Sequence, residues 1–268
     1  MPPMSSSQFQ QGKTALVTGA SGGIGHELAK LLAQDGYSLV LVARSREKLE
    51  QIARDLERAF SISIKVIPKD LSQPQAVEEV FQELERESIP IDILINNAGF
   101  GHYGFFSEID WKRQEEMIAL NVTALAHLTK LFLSGMIQRK QGRILNVAST
   151  SAFQPGPLMA VYYATKAYVL SFSEALANEL KNTGVTVTCL CPGATGTDFQ
   201  KNAVMGNNWL FKLNLMKADA VARIGYQGLM KGRTLVIPGW TNWLGAFLVR
   251  FGPRKMVPEI VRMIQQNR

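Results

Sequence analysis

The sequence predicts a doubly wound α/β domain, and three observations carry that expectation. Short β-rich apolar runs alternate with longer stretches of helical period along most of the chain. The runs are apolar almost without interruption, as strands covered on both faces of a parallel sheet are. The first run leads through a glycine-rich turn straight into a helical stretch. With 268 residues, 46% of them hydrophobic and 19% charged, the chain can bury a sizeable core and is not a disordered one.

Residues 13–18, 38–43, 62–67, 91–95, 143–148, 185–191 and 234–237 read as seven strands. Residues 24–35, 46–59, 75–87, 114–139 and 160–181 read as helices between them. This alternation gives βαβ units, whose right-handed crossovers place helices on both faces of the sheet. No linker divides the pattern. The expected organisation is a flexible tail over 1–12, one domain over 13–239 with a substrate loop at 194–216, and an amphipathic basic extension over 240–268. The tail lacks the apolar core of a secretory signal, and no apolar stretch near the C-terminus approaches the ~20 residues of a membrane span. Two cysteines do not form a disulfide framework, and with no export signal the expected setting is cytoplasmic.

The formal net charge is +7 and is unevenly spread. Residues 1–200 hold 18 Lys and Arg against 20 Asp and Glu, and residues 201–268 hold 11 against 2. The excess therefore belongs to the C-terminal end. Its cations are dispersed among apolar residues, and no helix-turn-helix, zinc or RNA-binding signature accompanies them, so nucleic acid is excluded as the expected partner.

The turn after the first strand reads Thr18-Gly19-Ala20-Ser21-Gly22-Gly23-Ile24-Gly25. A strand–glycine turn–helix junction lets backbone N–H groups approach a pyrophosphate, whose charge the helix dipole favours. Gly19 suits the tight turn, Gly23 a close approach and Gly25 the packing of helix on strand. Tyr162 and Lys166 stand four residues apart in a helical stretch and so share one face. Ser149 ends the fifth strand, at the carboxyl edge where open α/β sheets bind ligands.

Gly-x-x-x-Gly-x-Gly departs by one residue from the ordinary dinucleotide fingerprint, and with it the chain resembles the short-chain dehydrogenase/reductase family. Three further motifs of that family follow in order: Asn96-Asn97-Ala98-Gly99, Tyr162-Tyr163-Ala164-Thr165-Lys166, and Cys191-Pro192-Gly193. The resemblance covers about residues 13–239. It implies a single Rossmann-type domain and an oxidoreductase interconverting a carbonyl compound and an alcohol with a nicotinamide cofactor. Ser149, Tyr162 and Lys166 match the catalytic set, with the thirteen-residue interval that separates Ser149 from Ser151 and Tyr162 from Tyr163. Tyr162 would be the general acid/base, Lys166 would lower its pKa and hold the nicotinamide ribose, and Ser149 would polarise the carbonyl. Asn121 matches the family asparagine behind the lysine, holding a water relay; a bend in its own helix is the other reading.

At the end of the second strand stands Ala43-Arg44-Ser45, with no carboxylate before Glu47. An acidic side chain there would bind a ribose 2′-hydroxyl and repel a 2′-phosphate. Arg44 can fork onto that phosphate and Ser45 can donate to it. The resemblance therefore implies NADP(H), although Arg44 also reads as a solvated residue at a helix start. Asp70 and Leu71 match the adenine side of the site, and Asp70 also suits a turn cap. Ser21, Ile24, Asn97, Ala98, Gly99, Pro192, Gly193, Thr195 and Thr197 match other cofactor-contacting positions. His26, His102 and His127 lack metal-ligand spacing, so no metal is expected. Cys189 and Cys191 share one face of a buried strand and read as small hydrophobes.

The stretch with Val204, Met205, Trp209, Leu210, Phe211, Leu213, Leu215 and Met216 reads equally as a lid over a hydrophobic substrate or as a satellite core. Trp240, Trp243, Leu244, Phe247, Leu248 and Phe251 stand beside Arg250, Arg254 and Lys255. That composition suits an arm packed over the pocket or onto a neighbouring subunit, and it also suits peripheral contact with anionic lipid. The family habit implies a homodimer or homotetramer. A rival reading from another class is a non-catalytic NADP(H)-binding regulator or scaffold, which would have no need of Tyr162. Epimerisation or dehydration on the same fold is a third.

Overall fold

The computed structural model describes residues 12–197 and 215–266; the tail 1–11 and the apolar stretch from Val204 to Leu213 lie outside the described residues. Along the chain follow β1 (Thr14–Thr18), α1 (Gly23–Gln34), β2 (Ser38–Ala43), α2 (Arg46–Phe60), β3 (Ile64–Pro68), α3 (Ala76–Arg86) and β4 (Ile93–Asn96). Next come α4 (Trp111–Ile118), a π turn (Ala119–Ala124), α5 (Leu125–Gln138), β5 (Gly142–Val147), a 3₁₀ turn (Thr150–Phe153), α6 (Ala160–Glu179) and β6 (Val185–Leu190). The described chain ends with β7 (Thr195–Gly196), β8 (Met216–Lys217), α7 (Ala218–Met230), β9 (Leu235–Val236), α8 (Trp240–Leu248), a second 3₁₀ turn (Val249–Phe251) and α9 (Met256–Gln266).

Among the described residues, seven strands pair in parallel in the order β3-β2-β1-β4-β5-β6-β9, and β7 pairs with β8 apart from them. The chain runs outward from β1 to β3 and then returns past β1 to continue the other way from β4. The crevice of such a sheet opens at the carboxyl ends of β1 and β4. Every residue of β1 and β4 is buried, which accounts for their largely apolar character. One face packs Leu28, Leu32, Leu49, Val221 and Leu229 from α1, α2 and α7. The other packs Val80, Leu84, Leu128, Phe132 and Leu176 from α3, α5 and α6.

Four local features depart from the pattern read in the sequence. The helical stretch expected at 114–139 begins at Trp111, because the Asp110 carboxylate caps it by accepting from Lys112 N at 2.7 Å. A π turn interrupts it at Ala119–Ala124. The last strand shrinks to two residues, and α7 fills a stretch not assigned to a helix beforehand. The helical run Trp111–Gln138 is long and apolar enough by length and composition to cross a membrane. Its Leu128, Phe132 and Met136 are buried against the sheet.

Asn96 and Asn146 sit side by side on β4 and β5, inside otherwise apolar strands. Their presence is explained by a buried chain of polar groups. The Asn96 amide donates to Asn146 Oδ1 at 2.9 Å and to Thr129 Oγ1 at 3.0 Å, and the Asn146 amide donates to Ser173 Oγ at 2.9 Å. The Thr129 and Ser173 hydroxyls donate to the carbonyls of Leu125 and Val169 in their own helices. The chain ties α5 to α6 through the middle of the sheet. Ser173→Ala leaves a buried Asn146 N–H without its acceptor and should cost about 1–3 kcal/mol. A lower urea midpoint at unchanged slope would show it; an unchanged midpoint would show that the chain adds nothing to stability.

Candidate active site

The carboxyl ends of β1, β2, β4, β5 and β6 open into one cleft of about 980 Å³. The seam between β1 and β4 is closed by Thr18. Its hydroxyl donates to Ile95 O at 3.2 Å and accepts from the N–H groups of Asn97 and Ala98, both at 3.0 Å. The Asn97 amide reaches back to the carbonyls of Thr18 at 3.0 Å and Gly19 at 3.2 Å. Asn97 therefore staples the glycine turn.

Gly19 turns with φ +65°, and a Cβ on it would lie 2.9 Å from Ala98 Cα. Gly23 has φ +56°, and a Cβ there would meet Thr197 at 3.0 Å. A Cβ on Gly25 would run into Asn97 Nδ2 and lie 2.5 Å from Gly19 O, so Gly25 admits both the turn and the amide that holds it. Helix α1 opens without a side-chain cap and without an acidic residue in its first turn. Its first N–H groups and the positive end of its dipole thus face the cleft, beside Ser21 and Ile24.

Arg44 and Ser45 line the cleft beyond this turn. Arg44 is exposed, and among the described residues no hydrogen bond or ion pair engages it. The Ser45 oxygen caps α2 by accepting from Lys48 N at 3.4 Å, and its hydroxyl donates to Glu47 at 3.3 Å. Asp70 makes the expected turn, accepting from the N–H and hydroxyl of Ser72 at 3.0 and 2.7 Å, and still lines the cleft with Leu71.

The remaining motifs converge on the far half. Ser149, Tyr162 and Lys166 are all buried at the cleft wall. The Ser149 and Tyr162 side chains hydrogen-bond each other, and Ser149 Oγ also accepts from Ser151 N at 3.1 Å. Lys166 Nζ donates to Val147 O at 2.8 Å and lies 5.8 Å from the centre of the Tyr162 ring. Asn121 sits in the π turn. It does not bend the helix by bonding to its own backbone: its side chain bonds both the N–H and the carbonyl of Phe100, at 3.1 and 2.9 Å, and Thr165 Oγ1 at 3.1 Å. Asn121 thus clamps the Gly99–Phe100 backbone to α6 beside Lys166. Pro192, Gly193, Thr195 and Thr197 close the β6 side, with Thr195 Oγ1 donating to Gly193 O at 3.0 Å.

Burial governs the electrostatics. It holds the Tyr162 phenol well above the ordinary tyrosine value, although the Ser149 hydrogen bond pulls the other way. The expected lowering by Lys166 is not found in this geometry. The ammonium is aimed at a backbone carbonyl, and burial itself lowers Lys166 to about 8, with Cys189 and Cys191 opposing. The neighbouring Cys189 thiol, 3.7 Å away, and then burial hold the Cys191 thiol well up. Both cysteines are free.

The structure adds residues that spacing did not single out. Lys48 and Lys69 line the Arg44 side, Lys69 paired with Glu79 at 2.6 Å. From the C-terminal end, α9 brings Val261, Ile264 and Gln265 to the cleft. Gln265 is buried, donates to Tyr163 OH at 2.8 Å, and accepts at its backbone carbonyl from Tyr103 OH at 3.1 Å. Tyr163, the neighbour of Tyr162, is therefore the anchor of α9. His102 lines a separate small void with Phe106, Met117 and Tyr162 and is absent from the cleft lining. No group of residues suited to hold a metal occurs among the described residues.

Residues 13–208 match the short chain dehydrogenase family model. The chain is 38% identical over 197 residues to the very-long-chain 3-oxoacyl-CoA reductase of Phaeosphaeria nodorum, a match covering 71% of this chain and 57% of that protein. The chain spans about three fifths of the length of the first curated relatives it matches. Among solved structures, the short-chain dehydrogenase from Sphingobium yanoikuyae in complex with NADPH superposes with a TM-score of 0.80 at 32% identity, covering 90% of this chain and 94% of that one. The bulky-bulky ketone specific alcohol dehydrogenase from Comamonas testosteroni gives 0.76 at 31% identity, covering 90% and 92%. The chain belongs to the short-chain dehydrogenase family.

The lowered Lys166 has a thermodynamic consequence. Its folded value near 8 lies below the ordinary lysine value of 10.5, so the charged amine destabilises the fold at neutral pH. That penalty fades as pH rises through 8 toward 10.5, where the folded state has shed the proton and the unfolded state still holds it. Lys166→Met should gain stability over the parent at pH 7, and the gap should narrow by on the order of 2 kcal/mol by pH 10. Thermal unfolding of both proteins across this range tests it; a constant gap would mean that the buried amine is not the cause.

Proposed function

We propose that the chain is an NADP(H)-dependent oxidoreductase that interconverts a ketone or aldehyde and an alcohol on a hydrophobic substrate. The observation that carries this reading is the meeting of a Ser149–Tyr162 hydroxyl pair and the Lys166 ammonium in the cleft that the glycine turn opens. The turn fits a dinucleotide, because Gly19 and Gly25 bring backbone close together where any Cβ would intrude, and α1 leaves its N-terminus open. Gly19, Ser21, Gly23, Ile24 and Gly25 would hold the pyrophosphate, and Asp70, Leu71, Ala98 and Gly99 the adenosine half. Pro192, Gly193, Thr195 and Thr197 would hold the nicotinamide half. When bound, the nicotinamide supplies or accepts the hydride.

Arg44, exposed at the end of β2 with Lys48 and Lys69 nearby, would hold the 2′-phosphate. The relative bound to NADPH supports the phosphorylated cofactor. Tyr162, kept protonated by burial, gives its proton to the carbonyl oxygen in the reductive direction, while Ser149 donates a hydrogen bond that holds that oxygen in place. Lys166 holds the nicotinamide ribose and is the next proton source for Tyr162. Asn121 positions the Gly99–Phe100 backbone beside it, and a water there would refill the proton. Phe100, Leu120, Met159, Val261 and Ile264 supply an apolar wall for the rest of the substrate. A long-chain oxoacyl reductase and a dehydrogenase for bulky ketones among the relatives accord with such a substrate.

Tyr162→Phe keeps the ring and removes the proton. Turnover should fall by at least about a hundredfold with NADPH affinity unchanged, followed at the nicotinamide absorbance across a carbonyl panel. Substantial residual turnover would sink the assignment. Unchanged affinity without turnover even in the parent would favour a binding protein. Arg44→Ala should weaken NADPH by about ten- to a hundredfold and leave NADH unchanged, the loss of a charge-assisted contact. Equal weakening of both in a calorimetric titration would refute the 2′-phosphate role.

A further inference from the structure

We infer that α8 and α9 form a docking face for an anionic lipid surface, set around the mouth of the cleft. Helix α8, Trp-Thr-Asn-Trp-Leu-Gly-Ala-Phe-Leu, carries no charge, yet Ala246 is its one buried residue. A helix that is apolar nearly all round belongs inside a core or against lipid, and this one lies on the outside. Trp240 is 75% exposed and Phe251 72%. Trp243 stacks on Phe247 with ring centres 5.5 Å apart, and Phe247 meets Phe251 edge-on at 5.1 Å, a ladder of aromatic rings with little covering it. On α9, Met256, Ile260 and Met263 are exposed as well. Beside α9, Phe105 and Phe106 add exposed apolar surface, with Arg262 of α9 6.0 Å from the Phe105 ring.

Charge selects the occupant. Between residues 240 and 266, Arg250, Arg254, Lys255 and Arg262 face solvent against the single carboxylate of Glu259. A second copy seated symmetrically on this face would bring cations against cations, since such a contact is self-complementary by construction. A bilayer interface with anionic headgroups takes both features together: Trp and Phe sink to headgroup depth, and the cations meet phosphates and carboxylates. The nine residues of α8 are far short of the ~20 needed to span, so the chain would lie on the surface through this face. Since Val261, Ile264 and Gln265 of the same α9 line the cleft, an apolar substrate would pass from lipid to the site without crossing water. This last consequence rests on the oxidoreductase reading; the docking does not.

The test uses the full chain and sedimentation with vesicles of pure phosphatidylcholine and of equimolar phosphatidylcholine and phosphatidylserine. The parent should pellet with the anionic vesicles, shift its tryptophan emission to the blue, and release partly at high salt. Arg254→Glu with Lys255→Glu should weaken partitioning roughly tenfold, and Trp243→Glu with Phe247→Glu should abolish it. Circular dichroism confirms the fold of each, so a failed oxidoreductase assay leaves the lipid result intact. Absence of pelleting, or equal pelleting of parent and both variants, overturns the proposal. So does a parent dimer that the Trp243→Glu/Phe247→Glu variant dissolves while vesicles stay unbound, because a second copy then covers the face.

Discussion

Strands that run outward in both directions from β1 and β4 leave a gap at their carboxyl ends, and a gap in a fully buried sheet must have its backbone groups satisfied. Thr18 and Asn97 do this across the seam, with one hydroxyl shared among three backbone groups and one amide shared between two carbonyls. The positions of the glycine turn, the start of α1 and the Asn97–Gly99 wall all follow from that stitch. It also explains why the turn needs glycine where it does. Gly19 and Gly25 lie against the stitch itself, and a methyl group at either would meet the Asn97 amide that makes it and the backbone of Ala98 or Gly19.

The other half of the cleft depends on a costlier arrangement. Lys166 is carried into the interior by α6 and finds a single carbonyl, that of Val147, at the end of β5. A buried amine so placed is held below its ordinary value, and a buried phenol beside it is held above. The two shifts run in opposite directions from one cause, since burial disfavours the ionised form of each group. Such strain survives because the scaffold around it is over-determined. The Thr129–Asn96–Asn146–Ser173 chain fixes α5 and α6 to the sheet, and the Asn121 clamp fixes the π turn to the Gly99–Phe100 backbone.

What could be read along the chain was whatever interacts over short spacing or repeats with the period of its element. Strand positions, the glycine turn, and Tyr162 with Lys166 one helical turn apart are of this kind, and the structure holds them where the pattern puts them. Ser45 shows the limit of residue-type reasoning. A serine at a helix start answers the nearest orphan N–H, here that of Lys48, a need that spacing along the chain does not separate from its place in the cleft lining. Asn121 shows another, since its partners Phe100 and Thr165 lie 21 and 44 residues away and only the packed fold unites them. Gln265 is the extreme case. It meets Tyr163 at a separation of 102 residues, within a stretch whose composition pointed only to a basic, apolar arm.

That arm resolves the uneven charge into two faces of one helix pair. The inner face of α9 is anchored by Gln265 to Tyr163 and Tyr103, so it is a wall of the cleft and not a loose appendage. A buried glutamine costs free energy unless bonded, and two tyrosine hydroxyls 60 residues apart would have no reason to converge on an end that merely trails from the domain. Fixing the inner face in turn fixes which side chains point outward: Met256, Ile260 and Met263 stay exposed because α9 cannot rotate them inward without breaking the Gln265 contacts. The apolar rim is thus a consequence of the anchor. The same helix that closes the cleft is obliged to present hydrophobic surface at its entrance.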